Sequence, residues 1–423
     1  MKIKFSLSLI TISALSATLL LSGCGGSGSS SAFSTASTTN SSSGQFIDNY
    51  VANIDYNCAD GFSGVTDLNG SFACDFLPVT FSLGGLQLGT LTTLPKDRQV
   101  FPQDLLGFDR LDINNSEVIA MAQFLQSCDT DQNLTNGIYI QESVKKTFED
   151  SNETFNAADL NYYTTETNIT LISKEDAANH LQHSVEFIED INSADIPQSI
   201  KDTLLTPLST LSQATKDTLS YMGNEERLAH DVYLELYNYH VAQNSDAIQQ
   251  LTNIATQSET THIQTVQLLI NKYDLNCSSF TNIDLPELNY RDSSVDEMKM
   301  GLYDIKAIQD LHDALITKGE QSKQDALEVG CMVEVTDIDD LLTDIQIAKD
   351  CNASDVVTAF EFLRNGSYSH YWAFDKGLKN MGISDGCCSL GEEYCHPEYP
   401  TDTKGVSAEE RVQDGSGRRR GRE

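Results

Sequence analysis

The sequence predicts an α+β protein with several domains, in which a small β-rich N-terminal module is followed by an all-α four-helix bundle with a crossover helix. Two observations carry this prediction. Between residues 46 and 93, short runs of β-branched and aromatic residues are separated by glycines, which is typical of small sheets. From about residue 211 onward, apolar residues recur at intervals of three and four, which is typical of amphipathic helices.

The first 24 residues have the layout of a secretory signal. An apolar run too short for a permanent membrane span ends in Leu21-Ser22-Gly23-Cys24. This ending resembles the lipobox of bacterial lipoproteins, which implies that Cys24 is acylated and becomes the mature N-terminus. Residues 25–45 are rich in Ser, Gly and Thr and predict a flexible tether to the membrane. We expect a cell-envelope protein, and Gly25 after the cysteine favours the outer membrane.

The chain is strongly acidic, with 62 Asp and Glu against 27 Lys and Arg. Such a surface repels phosphate backbones, so nucleic-acid binding is not expected, whereas divalent cations would be enriched near it. The sequence also contains no nucleophile elbow, phosphate-binding glycine loop or dinucleotide fingerprint.

Nine cysteines follow Cys24, which is more than a cytosolic protein of this size needs, and export would let them form disulfides. Cys58 and Cys74 flank a glycine-rich turn and are predicted to pair. Cys387, Cys388 and Cys395 crowd the tail, and their pairing stays open.

The N-terminal module, assigned to residues 46–200, contains a second candidate site. A predicted helix over 115–127 leads into a loop in which Asp129, Asp131 and Asn133 alternate as in a calcium loop. The twelfth position is Ile140 rather than the bidentate Glu of an EF-hand, so a plain Asx-rich turn is the alternative to calcium binding.

The bundle is assigned to residues 210–382, with a cysteine-containing and basic tail over 383–423. Residues 276–300 are interpreted as an insertion, and the short helix after it as part of a crossover. The predicted helices cover residues 213–241, 246–274, 303–318, 321–347 and 353–381.

Charged and imidazole side chains interrupt the apolar face of each long helix. Glu259 and His262 lie in the stripe of the second helix, with the Glu-x-x-His spacing by which a bundle helix offers an oxygen and a nitrogen to one ion. Glu226, Glu334 and His370 occupy matching positions on the other three helices. A lone buried His or Glu is more often a hydrogen-bonded core residue. Here, four facing helices each place a His or Glu on their apolar face, and this combination predicts a shared metal site.

The segments Tyr221 to Tyr233, Ser258 to His262, Gly330 to Leu341 and Gly366 to His370 together resemble the DUF2202 family of the ferritin-like superfamily. The resemblance implies a ferritin-like bundle in which Glu226, Glu259, His262, Glu334 and His370 are metal ligands.

The fourth helix departs from the superfamily pattern, because Ser367 stands where a second Glu-x-x-His motif has its Glu. This departure implies a mononuclear or lopsided site, with Asp337 as a substitute ligand. The expected metal is Fe or Mn, with Zn as an alternative, as one or two ions.

Two functions remain open from the sequence. The first is a metal-binding protein, redox-active if the metal is iron or manganese. The second is a cell-surface interaction or adhesion protein without catalysis, in which the bundle serves as a rigid scaffold. Fold analogy alone does not separate them.

Overall fold

The computed structural model describes residues 42–243, 247–285 and 297–401. The predicted signal peptide, Cys24, the tether up to residue 41, part of the insertion and the basic run at 418–422 lie outside the described residues. The described chain is α+β, with a β-rich N-terminal region followed by a helical C-terminal region.

The N-terminal region forms three small sheets. The first has strand order β5-β1-β8, the second pairs β2 with β9, and the third has order β4-β3-β6-β7. Strand β1 begins at Ser42, within the stretch expected to be a tether. The strands are β1 (Ser42–Phe46), β2 (Val51–Ala52), β3 (Asp55–Cys58), β4 (Ser63–Val65), β5 (Ser71–Cys74), β6 (Val79–Leu83), β7 (Leu86–Leu91), β8 (Gln99–Val100) and β9 (Ile138–Tyr139).

Helices cover the sheets and share their core. Phe46, Phe72 and Phe81 pack together from different strands, with ring centroids 4.9 and 5.4 Å apart. Phe124 of the predicted helix is fully buried in the same core. The helices of this region are α1 (Pro102–Leu106), α2 (Ser116–Ser127), α3 (Glu142–Thr147), α4 (Leu160–Thr167), α5 (Lys174–Ser193) and α6 (Gln198–Leu204).

The C-terminal region is a bundle of four long helical segments with one additional helix on the crossover. Ser212 and Ser322 cap two of the helices by accepting a hydrogen bond from a backbone N–H of the first turn. The helices are α7 (Gln213–Ala242), α8 (Gln249–Asn253), α9 (Thr260–Lys272), α10 (Lys306–Gly319), α11 (Lys323–Asp350) and α12 (Ser354–Asn380). These bounds follow the predicted ones, since both caps and apolar periodicity are local features.

The second long helix differs from the prediction of a continuous α-helix over 246–274. Residue 246 lies outside the described residues, and α8 and α9 are joined by a π-helical segment, Ile254–Glu259. A π-turn contains one more residue than an α-turn, so it shifts the phase of the apolar face. This shift directs Ser258 as well as Glu259 into the interior.

Three disulfides join cysteines of the described chain. Cys58 pairs with Cys74 as predicted. Cys331 of α11 pairs with Cys387, and Cys388 pairs with Cys395, so the tail after α12 is fixed to the bundle. Among the helices of the described residues, none combines the length and apolar character needed to cross a membrane.

The Cys58–Cys74 disulfide closes a loop of 16 residues in sequence, which corresponds to about 3 kcal/mol of loop-closure entropy. We expect Cys58→Ser with Cys74→Ser to accelerate amide hydrogen exchange of β3 and β6 by roughly a hundredfold. Exchange of α11 in the same sample is the internal control. Unchanged protection of both strands would contradict this expectation.

Candidate metal centre

The structure brings the five predicted ligand residues together in the interior of the bundle. Each is at most 4% exposed. Four separate helical segments contribute them, so the centre exists only when the bundle is assembled. They are Glu226 of α7, Glu259 at the end of the π-segment, His262 of α9, Glu334 of α11 and His370 of α12.

Two groups of three ligands share one carboxylate. In the first group, Nδ1 of His262 lies 3.1 Å from Oε2 of Glu226 and 3.1 Å from Oε2 of Glu259. In the second, Nδ1 of His370 lies 3.1 Å from Oε1 of Glu259 and 3.4 Å from Oε2 of Glu334. Each oxygen of Glu259 therefore faces a different imidazole. Glu259 is therefore the residue that the two groups have in common.

Hydrogen bonds outside the two groups orient the ligands. Nε2 of His370 is 2.7 Å from Oγ of Ser258. When Nε2 donates this bond, the lone pair of Nδ1 points at Glu259 and Glu334. Nδ1 has no hydrogen-bond partner of good geometry within the described residues. The phenol of Tyr233 donates to Oε1 of Glu334. Ser258 was not predicted as part of the site, because a lone serine on an apolar helix face carries no metal-ligand signal of its own.

The π-segment and a glycine create the space for these side chains. A β-carbon at Gly366 would lie 2.4 Å from Nε2 of His262, closer than real contacts allow. Gly366 therefore forms the notch in α12 that accepts the imidazole of His262. The sequence analysis quoted this glycine as part of a motif but assigned it no role, since only the packed structure shows the close approach.

Burial and mutual charge change the protonation of the ligands. Burial raises the pKa of Glu226 to about 7. Burial would lower the pKa of His370, but the charges of Glu334 and Glu259 outweigh it and raise the pKa to about 10. Burial would raise the pKa of Glu259, but His370 and His262 outweigh it and hold the pKa below its usual range. Without a metal, protons on the two imidazoles offset part of the negative charge of the three carboxylates, and the raised pKa of Glu226 lets it hold a further proton near neutral pH.

Ser367 and Asp337 lie beside the centre without joining either ligand group. The hydroxyl of Ser367 donates to Oδ2 of Asp337, and the buried Oδ1 of Asp337 has no hydrogen-bond partner among the described residues. Burial and the charges of Glu226 and Glu334 raise the pKa of Asp337 well above its usual range. Ser367 stands where a second Glu-x-x-His motif would have its Glu, and its hydroxyl binds Asp337. Asp337 is thus one additional carboxylate next to the five predicted ligands.

Further carboxylates continue away from the centre between α7 and α11. Glu225 is buried, and neither of its oxygens accepts a hydrogen bond from a described donor. Asp340 lies within hydrogen-bonding reach of Glu225. Asp344 follows one turn later on α11 and is also buried. In the sequence, Glu225 stands beside the apolar face of α7, and neither it nor the two aspartates was predicted as part of a site.

The Asp129 loop forms the hydrogen bonds of an Asx-rich turn. Oδ1 of Asp129 accepts from the backbone N–H of Tyr139, and Oδ2 accepts from that of Asn133. Asp131 accepts from Asn133 and from the side chain of Asn136. Donors within the loop thus bind the oxygens that a calcium ion would need, which favours an Asx-rich turn without calcium. Calcium binding at this loop stays a prediction.

The fold and the site define a class, a four-helix bundle with a centre of paired carboxylates and imidazoles. The family model described as "Uncharacterized protein domain (DUF2202)" matches residues 215–394. The uncharacterized protein MJ0754 of Methanocaldococcus jannaschii is 35% identical over 176 residues, which cover 42% of this chain and 81% of that protein. The chain therefore belongs to the DUF2202 family.

A crystal structure of MJ0754 is also similar to this chain. The two chains are 33% identical in the aligned part, which covers 42% of this chain and 86% of that one, with a TM-score of 0.34.

We expect Gly366→Ala to displace the imidazole of His262 and to weaken metal binding at least tenfold, because the fully buried ring also packs against Phe362. Gly377→Ala is the matched control, since a β-carbon there meets its neighbours at 3.2 Å or more. Isothermal titration of both variants measures the difference. Equal affinities would contradict the role assigned to Gly366.

Burial and the charge of Asp340 raise the pKa of Asp344 to about 8. A raised carboxyl pKa stabilises the fold below pH 4, and this stabilisation is lost as the pH rises to about 8. In EDTA, the melting temperature of the unmodified protein should fall between pH 5 and pH 8 as Asp344 loses its proton. The melting temperature of Asp344→Asn should fall by several degrees less over the same range. Asp350→Asn, at an exposed position of α11, is the control. Identical pH profiles would contradict this assignment.

Proposed function

We propose that the bundle binds two transition-metal ions in one centre. Glu226, Glu259 and His262 would hold the first ion. Glu259, Glu334 and His370 would hold the second. The proposal rests on the position of the Glu259 carboxylate. Each of its two oxygens lies 3.1 Å from the Nδ1 atom of a different histidine.

The chemistry of the ligands fits such a pair of ions. Three carboxylates carry three negative charges in an interior where an uncompensated charge costs several kcal/mol. Oε1 of Glu226 is buried and has no hydrogen-bond partner among the described residues, and Oε1 of Glu259 faces Nδ1 of His370 at 3.1 Å without good hydrogen-bond geometry. A mixed oxygen and nitrogen set suits Fe, Mn or Zn. Three protein ligands for each ion leave further coordination positions open to a substrate.

The surrounding residues orient the ligands and limit access of water. Ser258 fixes His370, Tyr233 fixes Glu334, and Gly366 admits His262. Phe362 packs edge-on against His262, and Phe374 packs against Tyr233. If iron or manganese is bound, the pair of ions supplies electron-transfer chemistry toward oxygen or peroxide. We therefore propose a metal-binding protein with redox capacity.

The direct test is metal content and its loss. Protein purified without a histidine tag should contain close to two ions per chain by elemental analysis. Chelation should lower the melting temperature, and Fe²⁺, Mn²⁺ or Zn²⁺ should restore it, because an ion that binds only the folded state stabilises that state. Glu259→Gln with His262→Ala should abolish this response.

A matched control uses the same residue types elsewhere in the bundle. Glu235 lies 3.4 Å from His312 and is remote from both ligand groups, so Glu235→Gln with His312→Ala should retain the metal response. Metal-free protein whose melting ignores chelator would contradict the proposal and favour a surface-interaction role. One ion per chain would favour the mononuclear alternative.

We also propose that the protein is an exported lipoprotein anchored through Cys24, most consistent with the outer membrane. The lipobox-like segment Leu21 to Cys24 supports this, as does the Ser-rich stretch after it. Three disulfides in the described chain fit an oxidising compartment.

Replacing Cys24 by Ser should move the protein from the membrane fraction to the soluble periplasmic fraction, because the acyl chains would be lost. Immunoblots of separated fractions measure this. Ser22→Ala is the control that keeps the acylated cysteine. Membrane association that survives Cys24→Ser would refute lipid anchoring.

A further inference from the structure

Helix α11 carries a row of carboxylates that begins in the metal centre. Glu334, Asp337, Asp340 and Asp344 follow each other at intervals of three, three and four residues. This spacing places them on one face of the helix, over a rise of about 15 Å. Glu334, Asp337 and Asp344 are buried, whereas Asp340 is partly exposed. The row thus connects the centre with a position that solvent reaches.

Glu225 of α7 faces this row from the opposite helix. It is 2% exposed, and no donor within the described residues reaches either of its oxygens. The carboxyl group of Asp340 lies within hydrogen-bonding reach of it. The negative charges of Asp340, Asp337 and Asp344 all act on Glu225. A buried carboxylate whose neighbours are carboxylates requires a proton or a cation.

The arrangement fits brief occupancy by a cation better than permanent binding. In the part of the chain that the structure describes, Glu225, Asp340 and Asp344 belong to no group of three converging ligand atoms. They would hold an ion with fewer protein ligands than the centre provides, and therefore more weakly. A weak cation-binding position between solvent and the metal centre speeds the transfer of the ion. The carboxylates at that position replace the ion's water ligands a few at a time, so the ion never loses them all at once.

We propose that Asp344, Asp340, Glu225 and Asp337 form a loading route by which divalent cations enter the metal centre. The proposal rests on the proposed function, since a route requires a destination. The cation leaves bulk water at the partly exposed Asp340, exchanges water for the free oxygens of Glu225, and passes Asp337 to reach the ligands. Asp344, one turn beyond Asp340 on α11, supplies a further carboxyl oxygen at the outer end, where an arriving cation displaces its proton.

The experiment follows Co²⁺ binding to metal-free, full-length protein by stopped-flow absorption. Glu225→Gln should slow loading at least tenfold. It should slow release to excess chelator by the same factor, because a route lowers the barrier in both directions. The dissociation constant and the number of ions bound should stay within twofold of the unmodified protein. Asp344→Asn should slow both rates by a smaller factor.

The matched control is Asp339→Asn, which removes the same charge from the exposed face of the same helix. Its rates should stay within twofold. If Glu225→Gln fails to fold by circular dichroism, Asp344→Asn carries the test.

Three results would overturn the route. Unchanged loading rates in both variants would refute it while leaving the proposed function intact. A weaker dissociation constant or a lower ion number for Glu225→Gln would make this residue a ligand instead. Unmodified protein that binds no Co²⁺ by absorption or equilibrium dialysis would refute the proposed function, and the route with it.

Discussion

The burial of three carboxylates in the apolar interior of the bundle is the constraint on which the rest of the structure depends. Glu226, Glu259 and Glu334 are almost fully removed from solvent, and two imidazoles lie within 3.1 to 3.4 Å of their oxygens. Their placement is tolerable only if positive charge accompanies them, as protons on His262 and His370 or as metal ions. The apolar residues around the centre could supply stability without these groups. The presence of the three buried carboxylates therefore indicates a function in binding rather than a role in packing.

The geometry of the centre depends on departures from regular helix. The π-segment ending at Glu259 changes the phase of the second long helix, so Ser258 and Glu259 both face inward. Ser258 then sets the orientation of His370 on the opposite helix. The notch at Gly366 brings His262 against α12. These local adjustments allow one carboxylate to face two imidazoles.

The sequence predicted the helices of the bundle and the five side chains that meet in its interior, because helical period and capping are local and because a charge in an apolar stripe is visible in the chain. It also predicted the Cys58–Cys74 pair. It missed Ser258, since a lone serine on an apolar helix face does not reveal which imidazole it contacts across the bundle. The pairing of Cys331 with Cys387 depends on how the tail folds back, which spacing does not determine. Asp340 and Asp344 look like residues of a solvated helix face until α7 covers them.

Anomalous scattering from crystals grown with Mn²⁺ tests the central claim most directly. The account predicts two peaks within each bundle, one bonded to Glu226, Glu259 and His262 and the other to Glu259, Glu334 and His370. Glu259 should connect the two ions through its separate oxygens. A single peak, or ordered side chains in these positions with no peak at all, would contradict the account.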